Sequence, residues 1–386
     1  MDESSMSVAL ASDERFVRFV LTDVRDNIEV PNWSVSSEEL GFGGSAPFKI
    51  WKKTLHGGKQ EGSTLIGIEA GELSVTVIPT RGMGLYKAQY RGTSFGWDSP
   101  VDEIVHPSFV DLTGRGGLGW LDGFNELMVR CGYEWTGHPY KDGERMFTLH
   151  GRAANTPASF VAVDVERQAP HRIKLVGLLK EKTFAFANFE TRTELMVVPG
   201  TGALHIHDRL TNKSDAPSPY QIIYHTNFGR PLLGEGARIL APVSRVVPLN
   251  EPAKNNLSNW QRYAGPVSGL EEDLFGLELK GDAEHRTLVA LVGPDGSNGA
   301  AVRFSLDQLP FFTLWKNTNS YQQGYVTGLE PASNYPHPRN VEQANGRLQH
   351  IGPGATQTFD VTIQLLADQS DVAAVTAEID GLQTTV

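Results

Sequence analysis

Three stretches of this chain and a scattered group of arginines carry residue types that can move a proton or hold a polar ligand. In residues 147–157, "FTLHGRAANTP", His150 follows a short apolar run and precedes glycine and arginine. An imidazole titrates near neutral pH, and Gly151 lets the backbone approach a ligand closely. In residues 219–231, "PYQIIYHTNFGRP", good β-formers lead to His225 and Asn227. Strand alternation puts His225, Asn227 and Gly229 on one face, so an imidazole and an amide project together. In residues 326–331, "VTGLEP", a strand-like run closes on Glu330 with Pro331 behind it. That pattern predicts a backbone leaving a sheet at its rim and presenting Glu330 to a cleft. The last group is the arginines Arg81, Arg115, Arg130 and Arg339. Guanidinium forks suit hydroxyls, carboxylates or phosphates, and Arg81 and Arg130 each adjoin a strand end with glycine nearby.

The same residue types have plainer uses. Single histidines cap strands or satisfy buried carbonyls. Leu-His-Gly also occurs at residues 55–57, where His56 reads as a loop residue. His205 and His207 share a strand face at a spacing that suits two metal-bound imidazoles, but no third ligand can be named and no metal is expected. Cys131 reads as a packing thiol. Trp97, Trp120, Trp135 and Trp315 either fill a core or stack on the apolar face of a sugar.

The elements that must position these groups are mostly strands. From Ser63 onward, runs such as "ELSVTVIPT", "FETRTELMVVPG" and "ALHIHDRLTN" alternate apolar and polar residues between Gly- and Pro-containing turns. The series predicts an all-β fold, a large twisted antiparallel β-sandwich with a few short helices and the site on its loops. An amphipathic helix is expected over residues 14–24, a polar excursion over 250–266, and a C-terminal helix over 370–386 with Ser370 as its cap. The whole chain, 1–386, reads as a single domain in which residues 1–60 form an extension packed on the sandwich.

With 386 residues, 40% of them apolar and 9% aromatic, the chain can bury a substantial core, and 40 glycines with 22 prolines imply many turns. A formal charge of −11 without a dense basic stretch argues against nucleic acid, and no apolar run approaches the about 20 residues of a membrane span. One cysteine precludes an internal disulfide, and the acidic opening lacks a secretory signal's pattern, which points to the cytoplasm.

Taken in order, Leu149-His150-Gly151, then His225 with Phe228 three residues later, then Gly328-Leu329-Glu330-Pro331, resemble the aldose 1-epimerase (galactose mutarotase) superfamily. The resemblance covers residues 65–366 and implies that superfamily's twisted sandwich. The family's Asn-Arg element before the first histidine is replaced by "GWLDGFNELMVRCGYEW", with Arg130 or Arg81 to supply the cation. Asn227 stands where an aromatic residue is expected.

The reaction implied is interconversion of sugar anomers by ring opening and reclosure, which needs one base and one acid and no cofactor. The resemblance implies Glu330 as base, His225 as acid, and His150 holding the ring oxygen or a neighbouring hydroxyl. Asn227, Arg81, Arg130 and Lys316 would contact substrate, and these cations point to an acidic or phosphorylated sugar. Two alternatives stand beside this one. A glycoside hydrolase or lyase on a related sandwich would need a second carboxylate, from Asp122, Glu126 or Glu134. A non-catalytic sugar-binding protein would tolerate loss of the acid and base.

Overall fold

The computed structural model describes residues 14–44 and 46–384. Residues 1–13, which hold most of the acidic opening, lie outside the described residues, as do 45, 385 and 386.

Period-two patterning accounts for most of the architecture. Asn188–Val197 alternates half-buried and buried residues without a break, and pairs along nearly its whole length with Ile173–Lys182 and Ala203–Asn212. These three strands lie inside an antiparallel sheet of ten strands. A second sheet of thirteen strands carries, side by side, Asp273–Leu279, Phe311–Asn317, Val326–Ala332, Ser218–Phe228 and Met128–Tyr133. The main core lies between the sheets, where Leu175, Phe189 and Phe359 of one join the cluster that holds Tyr224, Phe312 and Leu329 of the other. Burying each such side chain stabilises the fold by about 1.5–3 kcal/mol.

The central strands of the larger sheet differ from the alternating ones. Every residue of Met128–Tyr133 and of Val326–Ala332 is buried, because loops cover the face turned away from the main core. A separate apolar cluster forms there, with Trp97, Trp120, Phe124, Cys131, Leu149 and Ile223.

Three local expectations are corrected. Phe16–Asp23 is a strand, not a helix, and pairs with Phe160–Glu166. Its phenylalanines and valines favour the pleat, and Phe19 and Leu21 alternate into the core at a period of two. The excursion at 250–266 contains a short helix, Glu251–Asn255, capped by the Asn250 side chain accepting from the Ala253 N–H. The C-terminal helix, Gln369–Thr384, takes its cap from Asp368, whose carboxylate accepts from the Ser370 and Asp371 N–H groups. Val372, Val375 and Ile379 of that helix pack on Leu288, Ala290 and Leu366. Among the described residues no helix is long and apolar enough to cross a membrane.

Candidate active site

Ser218–Phe228 points Tyr224 and Phe228 into the main core, so the residues between them, His225 and Asn227, face the opposite side. Register brings the neighbouring strands into line. Asn227 lies opposite Gly328, and Gly328 lies opposite Trp315, so His225, Glu330 and Trp315 share one face. Glu330 is not at a rim, as the sequence suggested. It sits within Val326–Ala332, opposite Thr313, and is 2% exposed. Pro331 is accommodated because the pairing with Ser218–Phe228 passes from Leu329 to Ala332 without using it.

A cavity of about 140 Å³ opens over this face, walled by Trp120, Phe124, Leu149 and Trp315, with His150, His225 and Glu330 among its lining. His225 Nε2 lies 3.3 Å from Glu330 Oε1. His150 reaches the cavity from a turn with φ of 56°. Its ring meets Trp120 edge-on at 4.8 Å between centroids and His225 at 5.5 Å. Gly151 makes that turn possible, since at φ +73° a Cβ there would lie 2.2 Å from the Trp135 carbonyl oxygen and 2.5 Å from that of Gly132.

Hydrogen bonding fixes the tautomer of His225. The Asn227 amide nitrogen donates to the carbonyl oxygens of Glu126 and His225, at 3.0 and 3.2 Å, so its Oδ1 must face the imidazole. That Oδ1 is 2.7 Å from His225 Nδ1, which therefore carries hydrogen and donates. Nε2 is left to face Glu330.

Burial sets the electrostatics. Desolvation pushes the Glu330 carboxyl well above the usual range, and Glu272 pushes it further the same way. Desolvation lowers His225 from 6.5 to about 4, against the opposing effect of its hydrogen bond to Asn227. His150 is held well below its ordinary value by burial, with His225 and His138 adding to the effect. Glu330 Oε1 and His150 Nδ1 are buried without a hydrogen-bond partner, so both remain available to a ligand.

The expected cationic contacts are corrected. No Lys or Arg lines the cavity among the described residues. Arg81 is fully buried, donating to Glu126 at 2.8 Å, to Asn155 and to the Val105 carbonyl. Arg130 lies opposite Tyr224 and so points into the main core, where it binds Asp208 and Thr193. Lys316 follows Trp315 and faces the other way, donating to the carbonyls of Asn259, Trp260 and Arg262 over the Tyr263 ring. Asn227 holds His225 and does not line the cavity. His205 and His207 bond to Thr362 and Asp360 on the adjacent strand, and His56 pairs with Glu61 in an exposed turn.

Sequence reasoning missed Glu272, His138 and Phe124, all of which line the cavity. Glu272 sits in "LEEDLFG", where nothing marks one acid above its neighbours. Its Oε2 accepts from the Trp315 indole N–H at 2.7 Å. The carboxylates considered as hydrolytic partners are engaged elsewhere: Asp122 with Arg115, Glu126 with Arg81, and Glu134 with Arg145.

A family described as a domain of unknown function (DUF4432) matches residues 60–365. Among solved structures, a candidate aldose 1-epimerase from Klebsiella pneumoniae is similar at a TM-score of 0.94 and 48% identity, over 95% of this chain and 96% of its own. A galactose mutarotase-like protein from Clostridium acetobutylicum (TM-score 0.54, 13% identity) covers 82% of this chain and 99% of its own. Galactose 1-epimerase from Lactobacillus acidophilus (TM-score 0.53, 13% identity) covers 82% of this chain and 98% of its own. These two show likeness of fold alone. A search of curated proteins gave no match. The chain therefore belongs to the DUF4432 family, and its fold is that of the galactose mutarotase-like proteins.

Proposed function

We propose that this protein is an aldose 1-epimerase that interconverts the anomers of a sugar through Glu330 and His225. The observation that carries this reading is the buried contact of 3.3 Å between His225 Nε2 and Glu330 Oε1 on a sugar-sized, aromatic-walled cavity. One proton is shared by the pair. With Glu330 ionised and His225 protonated on Nε2, the carboxylate takes the proton of the anomeric hydroxyl while the imidazolium gives its proton to the ring oxygen. The ring opens, the freed carbonyl rotates, and the two transfers reverse on its other face.

Desolvation raises Glu330 and lowers His225, so burial favours the neutral pair left after ring opening over the charged pair that begins the cycle. His150 would hold the ring oxygen or an adjacent hydroxyl with its unpartnered Nδ1. Trp120 and Trp315 offer flat apolar faces to the sugar.

NMR exchange between anomers, run over a panel of aldoses, tests the proposal. Glu330→Gln and His225→Asn are each expected to lower kcat by about 10²–10⁴-fold, the usual contribution of a positioned acid or base. Undiminished turnover in both variants would end the proposal. Glu272 favours the hydrolase reading to one extent, since it places a second carboxylate on the cavity. Release of the aglycone from aryl glycosides, without anomer exchange of the free sugar, would decide for hydrolysis.

A further inference from the structure

Charge around the cavity is one-sided. Its lining holds two carboxylates, Glu272 and Glu330, and no Lys or Arg among the described residues. The nearby cations point elsewhere: Arg81 is engaged with Glu126, Arg130 with Asp208, and Lys316 with three backbone carbonyls. Glu272 has no ion-pair partner among the described residues, and the Trp315 indole N–H occupies its Oε2 alone. Independently, Glu330 Oε1 and His150 Nδ1, on side chains more than nine-tenths buried, lack hydrogen-bond partners and border the same cavity. These atoms leave the cavity open to a ligand, and the unpaired Glu272 carboxylate indicates which charge suits it.

Resting on the epimerase reading, we propose that this site discriminates by charge: it takes aldoses without an anionic substituent and prefers those bearing an ammonium group, which Glu272 would hold beside Trp315. An anionic sugar would leave water to lie near the Glu272 carboxylate and the net-neutral Glu330–His225 pair between apolar walls, with no guanidinium or ammonium to compensate it. An ammonium substituent would donate a charge-assisted hydrogen bond to the free Glu272 oxygen and be attracted by the Trp315 ring. This is the reverse of the preference that Arg81, Arg130 and Lys316 suggest in the sequence.

The test compares matched sugars on the wild-type protein at low and high salt. The set is glucose and galactose, their 2-amino derivatives, the corresponding uronates and the 6-phosphates. Relative to the neutral parent, kcat/KM for anomer exchange is expected to fall about a hundredfold for the anionic sugars and to rise about three- to tenfold for the amino sugars. Salt should narrow both differences. Glu272→Gln should bring amino and neutral sugars near parity and recover part of the anionic turnover. Uronates or phosphates turned over as well as their neutral parents overturn the inference and leave the epimerase reading standing. Amino and neutral sugars handled alike by wild type and Glu272→Gln also overturn it. If sugars of every charge are neither bound nor turned over, the epimerase reading falls and the inference with it.

Discussion

His225 owes its orientation to one amide. Because Asn227 Nδ2 is committed to two carbonyl oxygens, its Oδ1 can only accept, and the imidazole must present Nε2 to Glu330. Replacing Asn227 by Leu removes that constraint, and kcat should fall about ten- to a hundredfold with KM little changed, as for a misdirected general acid. Asn227→Asp acts differently. A carboxylate beside Nδ1 favours the imidazolium and raises His225 from its value of about 4. Below that value both members of the pair are protonated and Glu330 cannot accept, so the acidic limb of kcat/KM against pH should move upward, by about one unit or more. An acidic limb that stays in place in the aspartate variant contradicts the tautomer argument.

Strand pairing explains why glycine is required at 328. Gly328 stands between Asn227 and Trp315 on the site face. A Cβ there would lie 2.4 Å from Glu330 Oε1 and 3.2 Å from both His225 and Trp315 ring carbons. The absent side chain is therefore the space in which the carboxylate meets the imidazole. Gly328→Ala is expected to lower kcat about a hundredfold by displacing Glu330, while costing about 1–3 kcal/mol of stability as ordinary overpacking. Anomer exchange and denaturant unfolding on the same sample separate the two effects. Activity that survives intact alongside a loss of stability would show that the carboxylate is free to shift without consequence.

The two sheets are joined by more than apolar contact. Arg130 of the larger sheet donates to both oxygens of Asp208 in the smaller one, at 2.5 and 3.1 Å, and to Thr193 Oγ1, while the Tyr224 hydroxyl donates to the same Asp208. All four side chains are buried. Arg130→Met leaves the Asp208 charge without its cation, which should cost about 3–5 kcal/mol, and Asp208→Leu added to it should recover most of that loss. Denaturant midpoints of the single and double variants check this. For the fraction that folds, KM should match wild type, because Arg130 does not reach the cavity. A raised KM at unchanged stability would return Arg130 to the substrate.

Local pattern was enough for the all-β class and for the shared face of His225 and Asn227, because alternation is a property of one strand and needs no partner. The resemblance carried by Leu149-His150-Gly151, His225 and Glu330 implied one constellation, which the cavity lining brings together. Pattern failed wherever the answer depended on which strand lies beside which. Lys316 and Trp315 are adjacent in sequence, yet only the register with Gly328 reveals that Trp315 faces the cavity and Lys316 the packed side. Arg130, expected to contact substrate, turns to the main core for the same reason, since its direction follows from pairing with Tyr224. Glu272 carries no local mark at all. It becomes part of the site because antiparallel pairing sets Asp273–Leu279 next to Phe311–Asn317, and that distant contact is written in the fold rather than in any short run of residues.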